Sequence, residues 1–340
     1  MDVSLWVTTD CNLSCKYCYE GLEKEKQYMT KEVIENSINY AFKYLQFIDK
    51  NDFRVQIHGG EPFLGFDLIK YIVYRFKEEC KIRNIKVSFF TTTNATIMNE
   101  EIFQFIKKEM PQISISLDGT KKTHDKYRVF KNGNGSHEIT LKNALKLLEN
   151  SVQVRIRTTF DSQSVNNLYE DVKFLVEKGF KCIVPEPNLL DTNWNEESVQ
   201  VLENQIIKLQ NYMKSKNDVL LSLTYKGLFK LKGNCSGGIT SLNIHPDGSI
   251  YPCTMVTGNK EFCIGDIYNG VDIRKRDNLL SYSKNINREC DGCKIYSFCK
   301  GSRCKMINKL ITNDYYKPPV MQCIIERMNY KLNVCEQIGV

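Results

Sequence analysis

Through the first half of the chain, short apolar runs alternate with longer stretches in which apolar residues recur every three or four positions. The runs at 3–9, 53–57, 86–91, 112–117, 152–160 and 181–185 have the length and composition of buried strands. The stretches at 32–47, 68–79, 102–107, 139–149 and 168–177 each carry one apolar face and read as amphipathic helices. Strands alternating with helices predict parallel βα units, since a parallel strand needs a crossover and a helix is the usual one. Six such units are two short of a closed (β/α)8 barrel, so the pattern predicts an α/β fold with a partial, open (β/α)6 TIM-like barrel. Ligands on such sheets gather at the C-terminal ends of the strands.

The pattern changes after Pro187. A polar helix is expected at 195–214 and a strand at 219–225. From Gly233 onward the chain is rich in Cys, Gly and short turns. His245-Pro246-Asp247-Gly248 signals a hairpin with 249–251 as the returning strand, and 261–264 reads as a further strand. The expected organisation is a barrel at 1–190, a connecting helix and strand at 191–230, and a small Cys-rich domain at 231–340. With little apolar core, that last segment needs inorganic staples.

Composition narrows the class. Of 340 residues, 42% are hydrophobic and 26% charged, which is ordinary for a folded protein. Net charge is +7, but basic and acidic residues are interspersed, so no nucleic-acid partner is expected. The first nine residues lack a signal-peptide pattern and no apolar run approaches a membrane span, so a cytoplasmic protein with no membrane partner is expected. In that compartment, fourteen cysteines are hard to explain as disulfides. Ten of them group at short spacings, which favours metal or cluster ligation.

Cys11-Asn-Leu-Ser-Cys15-Lys-Tyr17-Cys18 directly follows the first strand. Three thiolates so close together can hold three corners of a cubane and leave one iron without a protein ligand. An open iron can chelate a small molecule, whereas structural and electron-transfer sites normally close every position. This spacing, with an aromatic before the last cysteine, resembles the motif of the radical S-adenosylmethionine superfamily. His58-Gly59-Gly60-Glu61-Pro62, after the second strand, resembles that family's GGEP element. The resemblance implies a [4Fe–4S] cluster on Cys11, Cys15 and Cys18, and reductive cleavage of S-adenosylmethionine to a 5′-deoxyadenosyl radical. It also implies that Gly59, Gly60 and Glu61 grip the cofactor's ammonium. Tyr17, Asn94, Ser116, Asp118 and Arg157 stand at motif or strand-end positions where the family contacts its cofactor, although each could be an ordinary strand-end polar residue.

The later cysteines follow the order Cys235, Gly248, Cys253, then Cys290-x2-Cys293-x5-Cys299-x4-Cys304, then Cys323. The order resembles the SPASM extension of peptide-modifying members of the superfamily, with one residue more than usual between Cys299 and Cys304. The resemblance implies two auxiliary [4Fe–4S] clusters, an outer one on Cys290, Cys293, Cys299 and Cys323 and an inner one on Cys235, Cys253 and Cys304. No cysteine occurs at 229–234 to complete the inner set, and Cys263 is either the missing ligand or simply buried. Cys80, Cys182 and Cys335 have no partner spacing and read as small hydrophobes. Taken alone, Cys290, Cys293, Cys299 and Cys304 would also suit zinc.

For the substrate, the resemblance implies a ribosomally made peptide. Sulfatase-maturing relatives carry a proton-accepting aspartate directly after the cysteine that Cys253 matches, where this chain has Thr254, which is no base at neutral pH. Residues 256–266 and Arg157-Thr158-Thr159-Phe160 look like thioether-forming peptide maturases. The expected activity is therefore a sulfur-to-carbon crosslink in a precursor peptide, with peptide epimerisation and formylglycine formation as alternatives. The expected partners are a reductant such as flavodoxin or ferredoxin and a precursor peptide whose leader is recognised either directly or by a separate leader-binding protein. An electron carrier or zinc-stapled adaptor would leave Gly59-Gly60-Glu61 and the open three-cysteine site without purpose.

Overall fold

The structure, a computed structural model, describes residues 1–21, 25–48, 50–225, 235–301 and 304–331. Cys335 and the stretch 229–234 lie outside the described residues. Strands β1 (Asp2–Thr8), β2 (Asp52–Gly59), β3 (Lys86–Thr93), β4 (Gln112–Ser116), β5 (Gln153–Phe160), β6 (Cys182–Pro187) and β7 (Leu220–Leu221) pair in parallel in chain order. The crossovers are α1 (Lys31–Leu45), α2 (Phe66–Arg83), α3 (Glu100–Glu109), α4 (Lys121–Tyr127) with α5 (His137–Glu149), α6 (Leu168–Glu177) and α7 (Glu196–Met213). Polar residues start several of them. Thr30 caps α1 by accepting from Val33 N at 3.1 Å, and Asn99 caps α3 by accepting from Ile102 N at 2.8 Å. Asn195 and Ser198 form a reciprocal capping box on α7.

The sheet does not stop near residue 230. Strand β8 (Ser241–Ile244) returns to pair in parallel with β1, register Asp2↔Ser241 to Leu5↔Ile244. The β9 (Ser249–Tyr251), β10 (Gly265–Asp266) and β11 (Gly270–Val271) strands then meander antiparallel from its edge. The single sheet runs β11-β10-β9-β8-β1-β2-β3-β4-β5-β6-β7, and among the described residues no pairing joins β7 to β8. The barrel is open, as the strand count implied, but β7 and β8 widen it beyond six strands. Helices α8 (Ile273–Ser281), α9 (Tyr296–Cys299), α10 (Lys305–Thr312) and α11 (Val320–Asn329) complete the C-terminal region.

Alternation along the strands sorts the two faces. On β2, Phe53, Val55 and Ile57 are buried under the helices, where Phe53 packs edge-on to Phe42 and Phe76 at 4.9 and 5.6 Å. The intervening Arg54 and Gln56, with Ser114, Arg155 and Asn243 from other strands, line a lumen of about 750 Å³. Three local expectations change. The 219–225 strand shrinks to β7 because the chain turns at once, with Thr224 N donating to Leu221 O at 3.1 Å. The 261–264 strand is a 3₁₀ turn over Lys260–Phe262, opened by Asn259, whose side chain accepts from Glu261 N. Helix α4, too polar to show an apolar face in the sequence, is held by buried Thr123, His124 and Tyr127.

Candidate functional site

The exit of β1 lies directly against the exit of β2. Gly60 N donates to Thr8 O at 3.1 Å and Glu61 N to Asp10 O at 2.9 Å. A Cβ on Gly59 would meet Thr8 O at 2.4 Å, and one on Gly60 would meet Asp10 O at 2.4 Å. Gly59 also has φ +151°, so only glycine fits this crossing without strain. These two glycines let the cysteine loop close onto the strand-end turn. The loop is tied further by Ser14 N to Val129 O at 2.7 Å, Lys16 N to Tyr127 O at 3.0 Å, and Asn12 Nδ2 to Thr96 Oγ1 at 2.8 Å.

The result is a cavity of about 710 Å³ with Cys11, Cys15 and Cys18 on its wall. Tyr17, Gly59, Gly60, Asn94, Ser116 and Arg157 line it as well, so the structure brings these sequence-identified residues together. Asn94 is pinned, its Nδ2 donating to Asn12 Oδ1 at 2.9 Å and its Oδ1 accepting from Thr96 N at 2.9 Å. The cavity also meets the barrel lumen, since Gln56, Thr92, Arg155 and Thr254 line both.

Two residues are placed differently from expectation. Glu61 is fully buried and does not line the cavity. Its carboxylate accepts from Thr93 Oγ1 at 2.7 Å, Asn94 N at 2.8 Å and Phe63 N at 3.1 Å, so it fastens the ends of β2 and β3. Burial outweighs these bonds and pushes its pKa up to about 7. Asp118 is likewise buried behind the wall. It receives Arg128 through Nε at 2.9 Å and Nη2 at 3.2 Å, Thr159 N at 2.9 Å, and the Tyr17 hydroxyl. Both carboxylates spend their lone pairs inside the protein because strand ends leave backbone N–H groups that need acceptors.

Arg128 is the residue that sequence reasoning missed. It lies at the end of α4, lines the cavity, stands 5.1 Å from the Tyr17 ring centre and acts electrostatically on Cys15. Burial raises the Cys15 thiol pKa, and the guanidinium opposes that rise. The signal was the polar His124-Asp125-Lys126-Tyr127-Arg128 run shortly after a strand end. His124 reinforces it, accepting from Asp118 N at 3.2 Å and meeting Ser136 Oγ at 2.9 Å.

Among the described residues, no three His, Cys, Asp or Glu side chains stand close enough to share one metal ion. A cubane takes its thiolates at separate corners of a larger body. The first trio fits that body: three thiols face one cavity, no fourth cysteine among the described residues lines it, and a buried guanidinium supports negative charge on Cys15.

The Radical SAM superfamily model matches residues 7–175. The chain belongs to the radical SAM superfamily. It is an enzyme whose cofactors are a [4Fe–4S] cluster and S-adenosylmethionine. An uncharacterized protein of Methanocaldococcus jannaschii is 34% identical over 53% of this chain and 59% of its own length, so the chain spans under two thirds of that relative. A cysteine-type anaerobic sulfatase-maturating enzyme of Clostridium novyi is 26% identical over 86% of this chain and 84% of its own. The radical SAM cyclopropyl synthase TigE of Paramaledivibacter caminithermalis is 24% identical over 92% and 70%. Among solved structures, native anSMEcpe with bound AdoMet superposes with TM-score 0.84 at 18% identity, covering 99% of this chain and 98% of that one. Streptococcus suis SuiB bound to precursor peptide SuiA superposes at 0.65 and 16%, covering 95% and 75%. These superpositions extend the shared fold beyond the superfamily segment into the Cys-rich region.

In that region Cys253 lies within electrostatic reach of Cys304 and Cys235, and Cys290 within reach of Cys323 and Cys293. Burial pushes the Cys253 thiol up to about 12, with Cys304 and Cys235 adding their repulsion. Burial also raises Cys290, where Cys323 and Cys293 act in the same way. Cys299 is buried in α9. Cys263 instead donates to its own turn, Sγ to Gly265 O at 3.3 Å. Cys80 is buried on α2, and Cys182 lines the lumen.

Proposed function

We propose that the chain is a peptide maturase that installs a sulfur-to-carbon thioether crosslink in a ribosomally synthesised precursor peptide. The observation that carries the reading is the shared space between the first cysteine trio and Cys253-Thr254. A peptide lying there would have the first cysteine loop on one side and the inner thiol set on the other. Thr254 offers it a hydroxyl and no proton acceptor, which disfavours formylglycine formation. Among the relatives and similar folds are a cyclopropyl synthase and a protein solved with its precursor peptide, which supports a peptide substrate.

In this reading Cys11, Cys15 and Cys18 hold the first cluster. Gly59 and Gly60 offer backbone polar groups to the methionine end of S-adenosylmethionine, while Asn94, Ser116 and Arg157 face its remaining polar atoms. Cys235, Cys253 and Cys304 hold an inner auxiliary cluster, and Cys290, Cys293, Cys299 and Cys323 an outer one. When bound, these groups supply the electron that cleaves S-adenosylmethionine and take up the one released by crosslinking. The peptide itself loses one hydrogen atom from carbon, one proton from its thiol and one electron. In this division of labour residues 1–190 carry the first cluster and S-adenosylmethionine, 191–230 connect, and 231–340 supply the auxiliary ligands together with the strand β8 that joins the barrel sheet. A reductant such as flavodoxin or ferredoxin supplies electrons, and the peptide's leader is bound either directly or by a separate leader-binding protein.

The test is anaerobic turnover of the reconstituted chain with a Cys-containing precursor peptide. The product should lack two hydrogens, and its crosslinked cysteine should resist alkylation. The Cys11/Cys15/Cys18→Ala triple variant should form neither product nor 5′-deoxyadenosine. One solvent-derived deuterium with an alkylatable cysteine would replace this reading with epimerisation, and oxygen in place of sulfur would replace it with formylglycine formation.

A further inference from the structure

Lys305 is the first residue of α10 and is 4% exposed. A buried ammonium is costly unless an opposite charge stands beside it. Among the described residues no Asp or Glu pairs with it, and the Tyr316 ring stands 5.9 Å from its ammonium. Its Nζ donates instead to the Asn287 side-chain oxygen.

Asn287 is itself fully buried and makes three connections. Its Oδ1 takes the ammonium, its Nδ2 donates to Gly301 O at 2.8 Å, and its carbonyl accepts from Cys290 N at 2.9 Å. A Cβ on Gly301 would stand 2.4 Å from Asn287 Nδ2, so the glycine is what lets the amide sit there. A continuous path therefore runs from Cys290 of the outer set through Asn287 and Lys305 to the adjacent Cys304 of the inner set. The thiols that act electrostatically on the ammonium come from both sets, namely Cys290, Cys299 and Cys304.

We propose that Lys305 is the shared countercharge of the two auxiliary thiol sets, a positioning residue whose buried positive charge makes both of their clusters easier to reduce. The proposal rests on the auxiliary-cluster reading. A fixed cation stabilises the more negative, reduced state of a nearby cluster, and burial keeps solvent from screening it.

The experiment is an EPR-monitored redox titration of the reconstituted full chain carrying Cys11/Cys15/Cys18→Ala, which silences the first cluster. Lys305→Met should make reduction of both auxiliary clusters harder by about tenfold in the one-electron equilibrium, about 59 mV. Lys305→Arg, which keeps the charge, should stay near the parent. Wild-type potentials in Lys305→Met, or a shift in only one cluster, would overturn the shared countercharge. Iron and sulfide analysis of the parent separates the two failures, since a parent without auxiliary iron ends the cluster reading and the proposal with it. Should Lys305→Met fail to load iron, Lys305→Arg decides: full iron at parental potentials supports the charge, and iron loss there overturns it.

Discussion

Around Cys11, Cys15 and Cys18, the side chains of Asn94, Asp118 and Arg128 have protein partners that the parallel sheet puts in place. The buried cation there, Arg128, is held by the buried carboxylate of Asp118. Around Cys290, Cys299 and Cys304, the buried cation Lys305 has an amide and thiols for neighbours. The core differs in the same sense. Beyond residue 271 the buried apolar side chains among the described residues are Leu279, Leu280, Phe298, Met306, Met321 and Met328, with Cys299 among them, whereas β1, β2, α1 and α2 share a continuous apolar layer. The first region is preorganised by its fold, and under the auxiliary-cluster reading the second gains cohesion and charge balance from what its thiols bind.

Removing iron is the harshest way to break that comparison. In the chelated protein, hydrogen-exchange protection should be lost across α8 to α11, while amides of β1 to β5 stay protected; equal loss in both regions would erase the distinction. Asp118→Asn attacks the preorganised side, leaving Arg128 buried without its countercharge. Urea unfolding should show a loss of about 3–5 kcal/mol even in the iron-free chain, and a loss below about 1 kcal/mol would mean the pair is dispensable.

Glu61 gives a pH signature of the same network. Its folded pKa, about 7, exceeds the ordinary 4.5, so between those values the native state keeps a proton that the unfolded chain releases. Its stabilisation is therefore fully present below pH 4.5 and is lost as pH rises towards 7, by roughly 3 kcal/mol. Glu61→Gln should flatten this fall in stability curves taken across the range, and an unchanged slope would assign the titration elsewhere. The smallest effect is expected at Cys263. Cys263→Ala removes one hydrogen bond to Gly265 O, worth about 1 kcal/mol, and should leave the iron content of the auxiliary region unaltered. Iron loss matching that of Cys253→Ala would make Cys263 the fourth inner ligand.

Much of this organisation was legible in the residues. Strand–helix alternation gave the parallel units because the periods of two and three to four survive in the apolar pattern. The cysteine loop was legible because its ligands sit within eight residues of one another. Helix α4 was not, since its buried face is polar and is satisfied by partners distant in sequence, such as Asp161 for Tyr127 at 2.8 Å. The anchoring of Glu61 to β3 was not legible for a related reason: its partners Thr93 and Asn94 lie more than thirty residues away in the chain, and only the fold brings them to its carboxylate.

The sequence by itself determined the βα order, the three-cysteine loop and the superfamily, because spacing along the chain encodes each of them directly. Only the tertiary structure decided that β8 returns to β1 and carries the Cys-rich region onto the barrel sheet. It alone decided, too, that Asp118 serves Arg128 and that Lys305 lies between two sets of thiols. Those outcomes depend on which buried polar groups find one another across long separations, and a one-dimensional pattern carries no distance between them.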